Sequence, residues 1–215
     1  MFLGRQQEIA LLEREYDRSR PSLIVLRGRR RVGKSTLLLR SLRDRPAVYF
    51  QASRLTSTDN LIFLQEAITA SLGTDPVLDG LNTWPSVLAY LAERATQLPG
   101  LTVVLDEFPY LADAEPALPS LIQAAWDRIQ GAGQPINLVL CGSSISFMSE
   151  LLAERNPLHG RQTLDVALAP LSYREAGERF SGWSLDERLK AYAVFGGMPY
   201  YLALCDPALT LRQNV

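Results

Sequence analysis

The sequence predicts an α/β fold in which a parallel sheet of about five strands lies between two layers of helices, followed by a small helical piece at the C-terminal end. Short apolar runs alternate along the chain with segments of helical periodicity. Two of these runs end in acidic or small polar residues, as strands of parallel sheets do where they carry chemistry. A turn with glycines joins the first run to a helix. We expect one α/β unit over residues 1–169 and a helical unit over 170–215.

The N-terminal half alternates two apolar runs with four helical patterns. The run "SLIVL" follows Pro21 and leads to Gly28, which is typical of a buried strand. The run "AVYFQ" is rich in β-branched and aromatic residues, which favours a second strand. In order, we expect a helix within residues 3–18, a strand at 22–26, a helix at 34–42, a strand at 47–51, and helices at 61–72 and 84–97.

The C-terminal half adds three apolar runs and a helical end. "LTVVLDE" ends in two acids and "INLVLCGSS" ends in small polar residues, so both are predicted to be inner parallel strands. A weaker strand, "TLDVALA", spans Thr163 to Ala169 before Pro170. Residues 172–215 are helical in pattern but are interrupted by "FGGMPYY", which by itself is typical of a turn between helices.

The composition excludes several classes of protein. With 215 residues, 47% of them hydrophobic, the chain is long enough to bury a sizeable core. Lys and Arg number 22 against 23 Asp and Glu, so no overall positive field favours DNA or RNA. Cys141 and Cys205 lie far apart in apolar contexts, which predicts buried thiols and neither a disulfide nor a zinc site. No apolar run approaches the ~20 residues that cross a bilayer, so we expect a cytoplasmic protein without a membrane partner.

The strongest motif lies between the first predicted strand and the helix that follows it. Gly28, Gly33, Lys34 and Ser35 match G-x-x-x-x-G-K-[ST], a pattern whose backbone N–H groups and helix N terminus surround phosphates. Lys34 would reach the β- and γ-phosphates, Ser35 would hold Mg²⁺, and Thr36 would bond near the α-phosphate. We therefore expect a P-loop that binds a nucleoside triphosphate with Mg²⁺.

The four residues between the two glycines occupy the variable positions of this loop. By composition, Arg29, Arg30 and Arg31 suggest a grip on nucleic acid, and Val32 completes the loop. By spacing, the arginines lie at the rim of a cradle whose contacts come mainly from backbone N–H groups. We therefore expect Lys34→Ala to abolish productive nucleotide binding and Arg30→Ala to matter much less.

A pair of acids ends the run "VVLDE". Asp106 is expected to bind Mg²⁺ beside Ser35, and Glu107 to act as the general base for the attacking water. In isolation the pair is more typical of a solvated strand end, and only the loop motif favours catalysis. The stretch between loop and acids, which includes "AVYFQ", leaves room for an extra strand between them in the sheet. That arrangement is typical of the ATP-hydrolysing branch of P-loop proteins, and the guanine motif N-K-x-D is absent.

Six ordered blocks make the sequence similar to a known family. They are "FLGRQQEIALLE", "RGRRRVGKST", "LDEFPYL", "CGSSISFM", "NPLHGRQTLDVALAPLSYREA" and "YAVFGGMPYYL". The chain resembles the archaeal-type ATPase family, also found in bacteria, of the STAND and AAA+-like P-loop ATPases. The resemblance covers nearly the whole chain. It implies a three-layer P-loop NTPase sandwich of the ASCE or AAA+-like type with a helical lid.

The resemblance also implies roles that spacing cannot show. Gly4 and Arg5 would lie on the adenine side of the nucleotide. Ser143 or Ser144, at the end of the fourth strand, would sense the γ-phosphate. The triplet Gly197-Met198-Pro199 is similar to the G-x-P motif that closes the lid over the base, which would place Pro199 at the nucleotide.

An arginine before the last strand completes the implied catalytic set. Arg161 stands where related ATPases often place an arginine finger or a sensor arginine, acting in cis or in trans. Arg155 competes for this role, and for each of the two a surface arginine without catalytic function fits equally well. His159 is the single histidine and is expected to be structural or exposed.

Three functions are compatible with the sequence. The leading hypothesis is Mg²⁺-dependent ATP hydrolysis coupled to open and closed states. The alternatives are a nucleotide-dependent scaffold or switch with negligible turnover, and a DNA-associated ATPase whose effector domain is absent. Family members commonly continue beyond the lid, whereas this sequence ends at Val215, so we expect a truncated or a short member. A homo-oligomer or a protein partner stays open, and nucleic acid is weakly supported.

Overall fold

One parallel sheet organises the molecule. The computed structural model describes residues 3–215, and in this range five strands form the sheet in the order β2-β3-β4-β1-β5. All pairings are parallel, which confirms the predicted fold class. The strands are β1 Ser22–Gly28, β2 Ala47–Gln51, β3 Thr102–Asp106, β4 Asn137–Gly142 and β5 Leu164–Leu168.

Helices connect the strands and form the C-terminal end. Those of the sandwich are α1 Gln6–Tyr16, α2 Lys34–Ser41, α3 Ser57–Leu72, α4 Pro76–Asp79, α5 Trp84–Gln97, α6 Phe108–Ala114, α7 Leu118–Ala132 and α8 Ile145–Glu150. After β5 follow α9 Tyr173–Gly177, a 3-10 turn at Glu178–Phe180, α10 Leu185–Phe195, α11 Pro199–Leu204 and α12 Leu211–Asn214.

The extra strand of the sheet comes from a different place than the sequence suggests. A strand does lie between β1 and β3, but it is β4, which follows both in the chain. The run "AVYFQ" is β2 and lies at the edge of the sheet. Burial explains the difference, because β4 is buried at every position whereas β2 alternates between buried and partly exposed residues.

The two faces of the sheet have separate cores. On one face, side chains of α1 and α2 such as Leu12 and Leu37 pack against Ile24 and Val139 of the strands. On the other, α3, α5, α6 and α7 cover the alternate strand residues, with Trp126 fully buried among them. This alternation along each strand produces a three-layer sandwich.

Several helix boundaries follow from local capping. Helix α3 begins four residues before the predicted Leu61, because the Thr56 side chain accepts a hydrogen bond from the backbone N–H of Asp59. Helix α5 spans Trp84–Gln97 as predicted and begins with a capping box at Thr83. Periodicity does not identify helices α6 and α7, each of which has a proline in its first turn.

The C-terminal helices pack around a small cluster of their own. Leu171, Phe180 and Leu202 are among its fully buried members, and Leu3 of the N terminus packs against it. Cys141 and Cys205 are free, and both are buried as predicted. No helix within the described part of the chain is long and apolar enough to cross a membrane.

Candidate functional site

The glycine-containing loop joins β1 to α2 at the carboxyl edge of the sheet. Gly28 ends β1, and a Cβ there would stand 2.7 Å from the carbonyl oxygen of Leu168 on β5, so only glycine fits. Gly33 precedes α2 with a φ of 95°, a left-handed conformation that favours glycine. Arg31 has a φ of 68°, so the loop also holds a side-chain-bearing residue in this region. The backbone thereby forms the compact turn that the motif predicts.

Lys34 spans the loop from the first turn of α2. Its side chain is buried, and its Nζ donates to the carbonyl oxygens of Gly28 at 2.9 Å and Arg29 at 3.3 Å. No carboxylate lies within ion-pair distance of it among residues 3–215. A buried ammonium with only carbonyl partners favours an anion nearby.

Asp106 ends β3 in a dense set of hydrogen bonds. Ser35 Oγ donates to its Oδ2 at 2.8 Å, the hydroxyl of Tyr49 donates to the same oxygen, and the backbone N–H of Glu107 donates to Oδ1 at 2.8 Å. Burial by itself raises the pKa of this carboxyl, but hydrogen bonds from Cys141, Tyr49, Ser35 and the Glu107 N–H outweigh it and hold the pKa below its usual value. Asp106 is therefore a carboxylate fixed against Ser35.

Glu107 adopts a strained backbone at the start of α6. Its φ of 52° and ψ of 43° lie in the left-handed region, which is uncommon for a residue with a side chain and is concentrated at functional sites. The carboxylate Oε2 accepts from Ser143 Oγ at 2.7 Å and from Ser143 N at 3.4 Å. Ser143, one of the two serines for which the resemblance implies γ-phosphate sensing, thus hydrogen-bonds the predicted base. Ser144 Oγ lies against Ser146 Oγ, 3.5 Å away, and the structure describes no hydrogen bond between it and Glu107.

A cavity of about 380 Å³ opens between the loop and the C-terminal helices. Glu107 lies on one side of it, and the first residues of α11 lie on the other. The side chain of Asp106 lies directly behind Ser35. The volume falls in the range of pockets that hold small ligands. The lining residues are Leu3, Arg5, Arg30, Arg31, Val32, Gly33, Lys34, Ser35, Thr36, Glu107, Pro199, Tyr200 and Ala203.

The N-terminal motif braces this cavity. Arg5 is 5% exposed, and its Nη2 donates to the carbonyl oxygens of Val32 at 3.3 Å and Ala169 at 2.6 Å. Its Nη1 pairs with Glu8 at 3.0 Å. Gly4 does not line the cavity; a Cβ there would meet the side chain of Glu175 at 2.7 Å. Phe2, which begins the motif, lies outside the described residues.

The three loop arginines have different surroundings. Arg29 is exposed and offers its carbonyl to Lys34. Arg30 donates from Nη2 to the hydroxyl of Tyr110. Arg31 donates from Nη1 to the hydroxyl of Tyr201 at 3.2 Å, and its guanidinium lies 4.4 Å from the ring centroid of Tyr200 and 5.8 Å from that of Tyr201. Arg30 thus bonds α6, and Arg31 bonds α11.

The structure does not bring Arg161 to the loop. The backbone N–H of Thr163 bonds Leu23 near the start of β1, which places Arg161 at the amino edge of the sheet, opposite the loop. Its guanidinium pairs with Asp127 of α7 through Nε at 2.8 Å and Nη2 at 2.9 Å. A role in trans stays a prediction. Arg155 pairs with Glu150 in an exposed position.

Sequence reasoning missed the tyrosines around the cavity. Tyr49, Tyr110, Tyr200 and Tyr201 each contact a residue of the loop or Asp106. Strand alternation indicates which face Tyr49 occupies, but it does not identify the neighbouring strand. Nothing in the spacing pairs Tyr110 with Arg30. His159 is exposed, with Nδ1 2.7 Å from the carbonyl oxygen of Leu152, as expected for a structural or exposed histidine.

The side-chain oxygen atoms of Ser35 and Asp106 are suitable ligands for Mg²⁺. Both supply hard oxygen atoms, and their contact at 2.8 Å places hydroxyl and carboxylate together beside the cavity. Within the described range no group of three or more His, Cys, Asp or Glu could hold a metal by itself. Mg²⁺ is usually held by one or two carboxylates together with water and substrate phosphates, and Asp106 and Ser35 supply ligands of this kind.

Fold and site together define a three-layer α/β protein with a P-loop between β1 and α2. A family described as an ATPase domain predominantly from Archaea matches residues 2–205, and the chain belongs to this family. An uncharacterised protein of Methanocaldococcus jannaschii is 30% identical over 204 residues. That match covers 94% of this chain and 43% of the relative, so the chain spans less than half of that relative's length.

Solved structures share the fold. The Walker-type ATPase of Pyrococcus abyssi has a TM-score of 0.74 at 21% identity, covering 99% of this chain and 71% of that one. The ORC1 protein of Aeropyrum pernix, in complex with DNA, has a TM-score of 0.65 at 19% identity, covering 95% and 59%. At these identities the likeness supports the fold and carries no statement about partners.

Proposed function

We propose that this chain binds ATP with Mg²⁺ in the cavity between the loop and α11, hydrolyses it, and couples the cycle to movement of the C-terminal helices. One observation carries the proposal. Lys34, Ser35 and Glu107 line one cavity, and Asp106 hydrogen-bonds Ser35. These residues follow or end β1 and β3, two strands that lie on opposite sides of β4. This is the set of groups that triphosphate hydrolysis requires.

Each group has a distinct task in the proposed site. The backbone N–H groups of the loop and the start of α2 would surround the phosphates, and Lys34 would exchange its carbonyl partners for phosphate oxygens. Ser35 and Asp106 would hold Mg²⁺, which neutralises phosphate charge when bound. Glu107 would accept the proton of the attacking water, and Ser143 keeps its carboxylate in place.

The C-terminal helices would cover the other end of the nucleotide. Pro199, Tyr200 and Ala203 of α11 face the cavity together with Leu3 and Arg5. These side chains form an apolar slot that includes the guanidinium of Arg5. Such a slot is suited to the base and ribose of a nucleotide. Displacement of α11 would open the slot, so nucleotide binding and helix position are linked.

Two substitutions test binding and chemistry separately. We expect Lys34→Ala to weaken binding of a fluorescent ATP analogue at least tenfold, because a charged hydrogen bond contributes roughly 1.5–3 kcal/mol. We expect Glu107→Gln to bind normally and to lower kcat for phosphate release by about 10²–10⁴. Arg40→Ala, an exposed arginine of α2, is the matched charge control.

Two outcomes would contradict the proposal. Unchanged hydrolysis in Glu107→Gln would remove Glu107 as the base. A wild-type protein that binds no ATP with Mg²⁺ present would remove the whole proposal.

A second candidate is a nucleotide-dependent switch with negligible turnover. It is favoured by the distance of Arg161 from the loop, since a site without a stabilising arginine hydrolyses slowly. Specific activity measured over a range of protein concentrations separates the cases, because a switch would show negligible turnover at every concentration. A steep rise would indicate that Arg161 acts between copies of the chain, whereas flat turnover at a measurable rate would favour an enzyme complete in one chain.

A further inference from the structure

We propose that Arg30 is a catalytic residue, which stabilises the transition state of ATP hydrolysis from within the same chain. The inference rests on the proposed function. It also revises the expectation from spacing, which placed Arg30 at a rim of minor importance. The structure puts Arg30 in the cavity wall together with Lys34, Ser35 and Glu107.

The charges around the cavity call for more negative charge than the protein supplies. Arg30, Arg31 and Lys34 line it, and Glu107 is the single acid among the lining residues. Among residues 3–215, none of these three cations has a carboxylate within ion-pair distance. Clustered cations without acidic partners favour a polyanion, and a triphosphate supplies that charge.

The position of Arg30 is tied to the predicted base. Its Nη2 donates to the hydroxyl of Tyr110. Tyr110 lies one turn after Glu107 on α6, and its backbone N–H donates to the Glu107 carbonyl at 2.9 Å. One short helix therefore holds both the carboxylate that would receive the proton of water and the guanidinium that would face the γ-phosphate.

The other arginines considered for this role make different contacts. Arg161 lies at the opposite edge of the sheet, where its Nε and Nη2 donate to the carboxylate of Asp127. Arg5 pairs with Glu8 and binds two backbone carbonyls. Arg31 stacks on Tyr200 and bonds Tyr201, so it faces α11. Arg54 lies 5.0 Å from the ring centroid of Tyr110 but does not line the cavity. Arg30 is thus the lining arginine that bonds α6.

The proposed step is an in-line displacement. The oxygen of water bonds to the γ-phosphorus as the bond from that phosphorus to the β–γ bridging oxygen breaks. The proton of water passes to Glu107, and the electron pair of the broken bond stays on ADP. Arg30 donates to the γ-phosphoryl oxygens, whose charge distribution changes in this step, and a stabilising arginine of this kind raises kcat by about 10³–10⁵.

Steady-state hydrolysis with saturating ATP and Mg²⁺ tests the assignment. We expect Arg30→Ala to lower kcat on the order of a thousandfold or more with little change in the affinity for ATP. Arg30→Lys should restore part of the rate, since it keeps the charge but loses the planar fork. Arg40→Ala serves again as the exposed arginine control.

Binding of a transition-state mimic distinguishes a catalytic role of Arg30 from a structural one. ADP with aluminium fluoride should be trapped by the wild-type chain and not by Arg30→Ala, while plain ADP binds both equally. Tyr110→Phe keeps the ring but loses the hydroxyl that positions Arg30. We expect it to lower kcat and aluminium fluoride trapping in parallel, by less than Arg30→Ala.

Mixing two inactive variants distinguishes action within one chain from action between chains. If Arg30 acts in cis, mixtures of Arg30→Ala and Glu107→Gln stay inactive at every ratio. Recovery of activity in the mixture would overturn the cis assignment. Unchanged kcat in Arg30→Ala, with an active wild-type protein, would overturn the inference and leave the proposed function standing. Absence of ATP binding by the wild-type protein would overturn both.

Discussion

Asp106 and Glu107 are neighbours in the chain but have different surroundings at the end of β3. Asp106 is buried and is held by donors from β2, α2 and the backbone. Glu107 turns out of the strand with a left-handed backbone and faces the cavity. In the proposed function, the first carboxylate would hold the cation and the second would accept the proton of water.

Ser143 provides a test at the scale of one hydrogen bond. We expect Ser143→Ala to lower kcat by about 10- to 100-fold, because a hydrogen bond to a charged group contributes about 1.5–3 kcal/mol and its loss frees the Glu107 carboxylate. Single-turnover kinetics and ATP binding on the same samples would show a loss in rate with affinity retained. Ser143→Thr keeps the hydroxyl and should retain most of the rate. A loss of ATP affinity with an unchanged rate would instead favour contact of Ser143 with the γ-phosphate.

Helices α1 and α2 are joined by a buried tyrosine. Tyr16 of α1 is 1% exposed, and its hydroxyl lies 3.3 Å from Ser41 Oγ of α2. Burial raises the pKa of Tyr16 from 10.0 to about 12, although the hydrogen bond with Ser41 and the nearby Arg45 guanidinium oppose the rise. The neutral phenol is thus the form that this helix contact requires.

The alkaline stability of the fold follows from this tyrosine. Because the pKa is higher in the folded state, the contribution of Tyr16 is fully present below pH 10 and is lost as the pH rises toward 12. We expect the difference in unfolding free energy between wild type and Tyr16→Phe to change across this interval by up to roughly 3 kcal/mol. Urea unfolding at several alkaline pH values measures it. Tyr173→Phe, at an exposed position, is the control. A constant difference would contradict the expectation.

The segment before α11 packs against Leu171 at a position where only glycine fits, Gly197. A Cβ at Gly197 would stand 1.9 Å from the carbonyl oxygen of Leu171, whose N–H donates to the Gly197 carbonyl at 2.7 Å. We expect Gly197→Ala to destabilise the protein by at least about 1–3 kcal/mol, because this approach leaves no room for a methyl group. Gly131 lies in α7, where an added methyl group would have nothing within 4 Å, so Gly131→Ala should be neutral or gain up to about 1 kcal/mol. Thermal unfolding of both variants gives the comparison, and equal stabilities would contradict it.

The molecule has three hydrophobic clusters: one on each face of the sheet and a third among the C-terminal helices. The sheet cores contain most of the buried apolar residues, whereas the third cluster has six fully or nearly fully buried members. Exposed apolar residues are frequent in the C-terminal helices, with Leu185 at 68% and Leu204 at 72% exposure. Fewer buried contacts mean that this part opens at a lower free energy than the sheet.

Hydrogen exchange tests this division and the proposed coupling together. Without nucleotide, we expect amide protons of α10 and α11 to exchange faster than those of β1, β3 and β4. A non-hydrolysable ATP analogue with Mg²⁺ should slow exchange in α11 more than in α7, because Pro199, Tyr200 and Ala203 line the cavity and α7 does not. Slowing confined to the loop, with α11 unaffected, would contradict the coupling.

Local sequence patterns account for the parts of the protein that depend on neighbouring residues. The strands, the helices with periodic apolar residues, the loop from Gly28 to Ser35 and the acids after β3 follow from local patterns and spacing. Family resemblance added the places of Arg5 and Pro199 at the cavity. These features could be predicted because burial alternation, turn geometry and phosphate binding at a helix N terminus act within a few residues.

Contacts between distant residues depend on how the elements pack, which local patterns do not reveal. Strand β4 lies between β1 and β3, Arg161 is paired with Asp127 at the far edge of the sheet, and Tyr110 meets Arg30 across 80 positions of sequence. Such contacts depend on strand order and on how helices pack over the sheet, and no local propensity encodes either. For this reason the sequence could identify the loop and the acids, while the bond between Arg30 and Tyr110 of α6 emerged only when the elements were packed together.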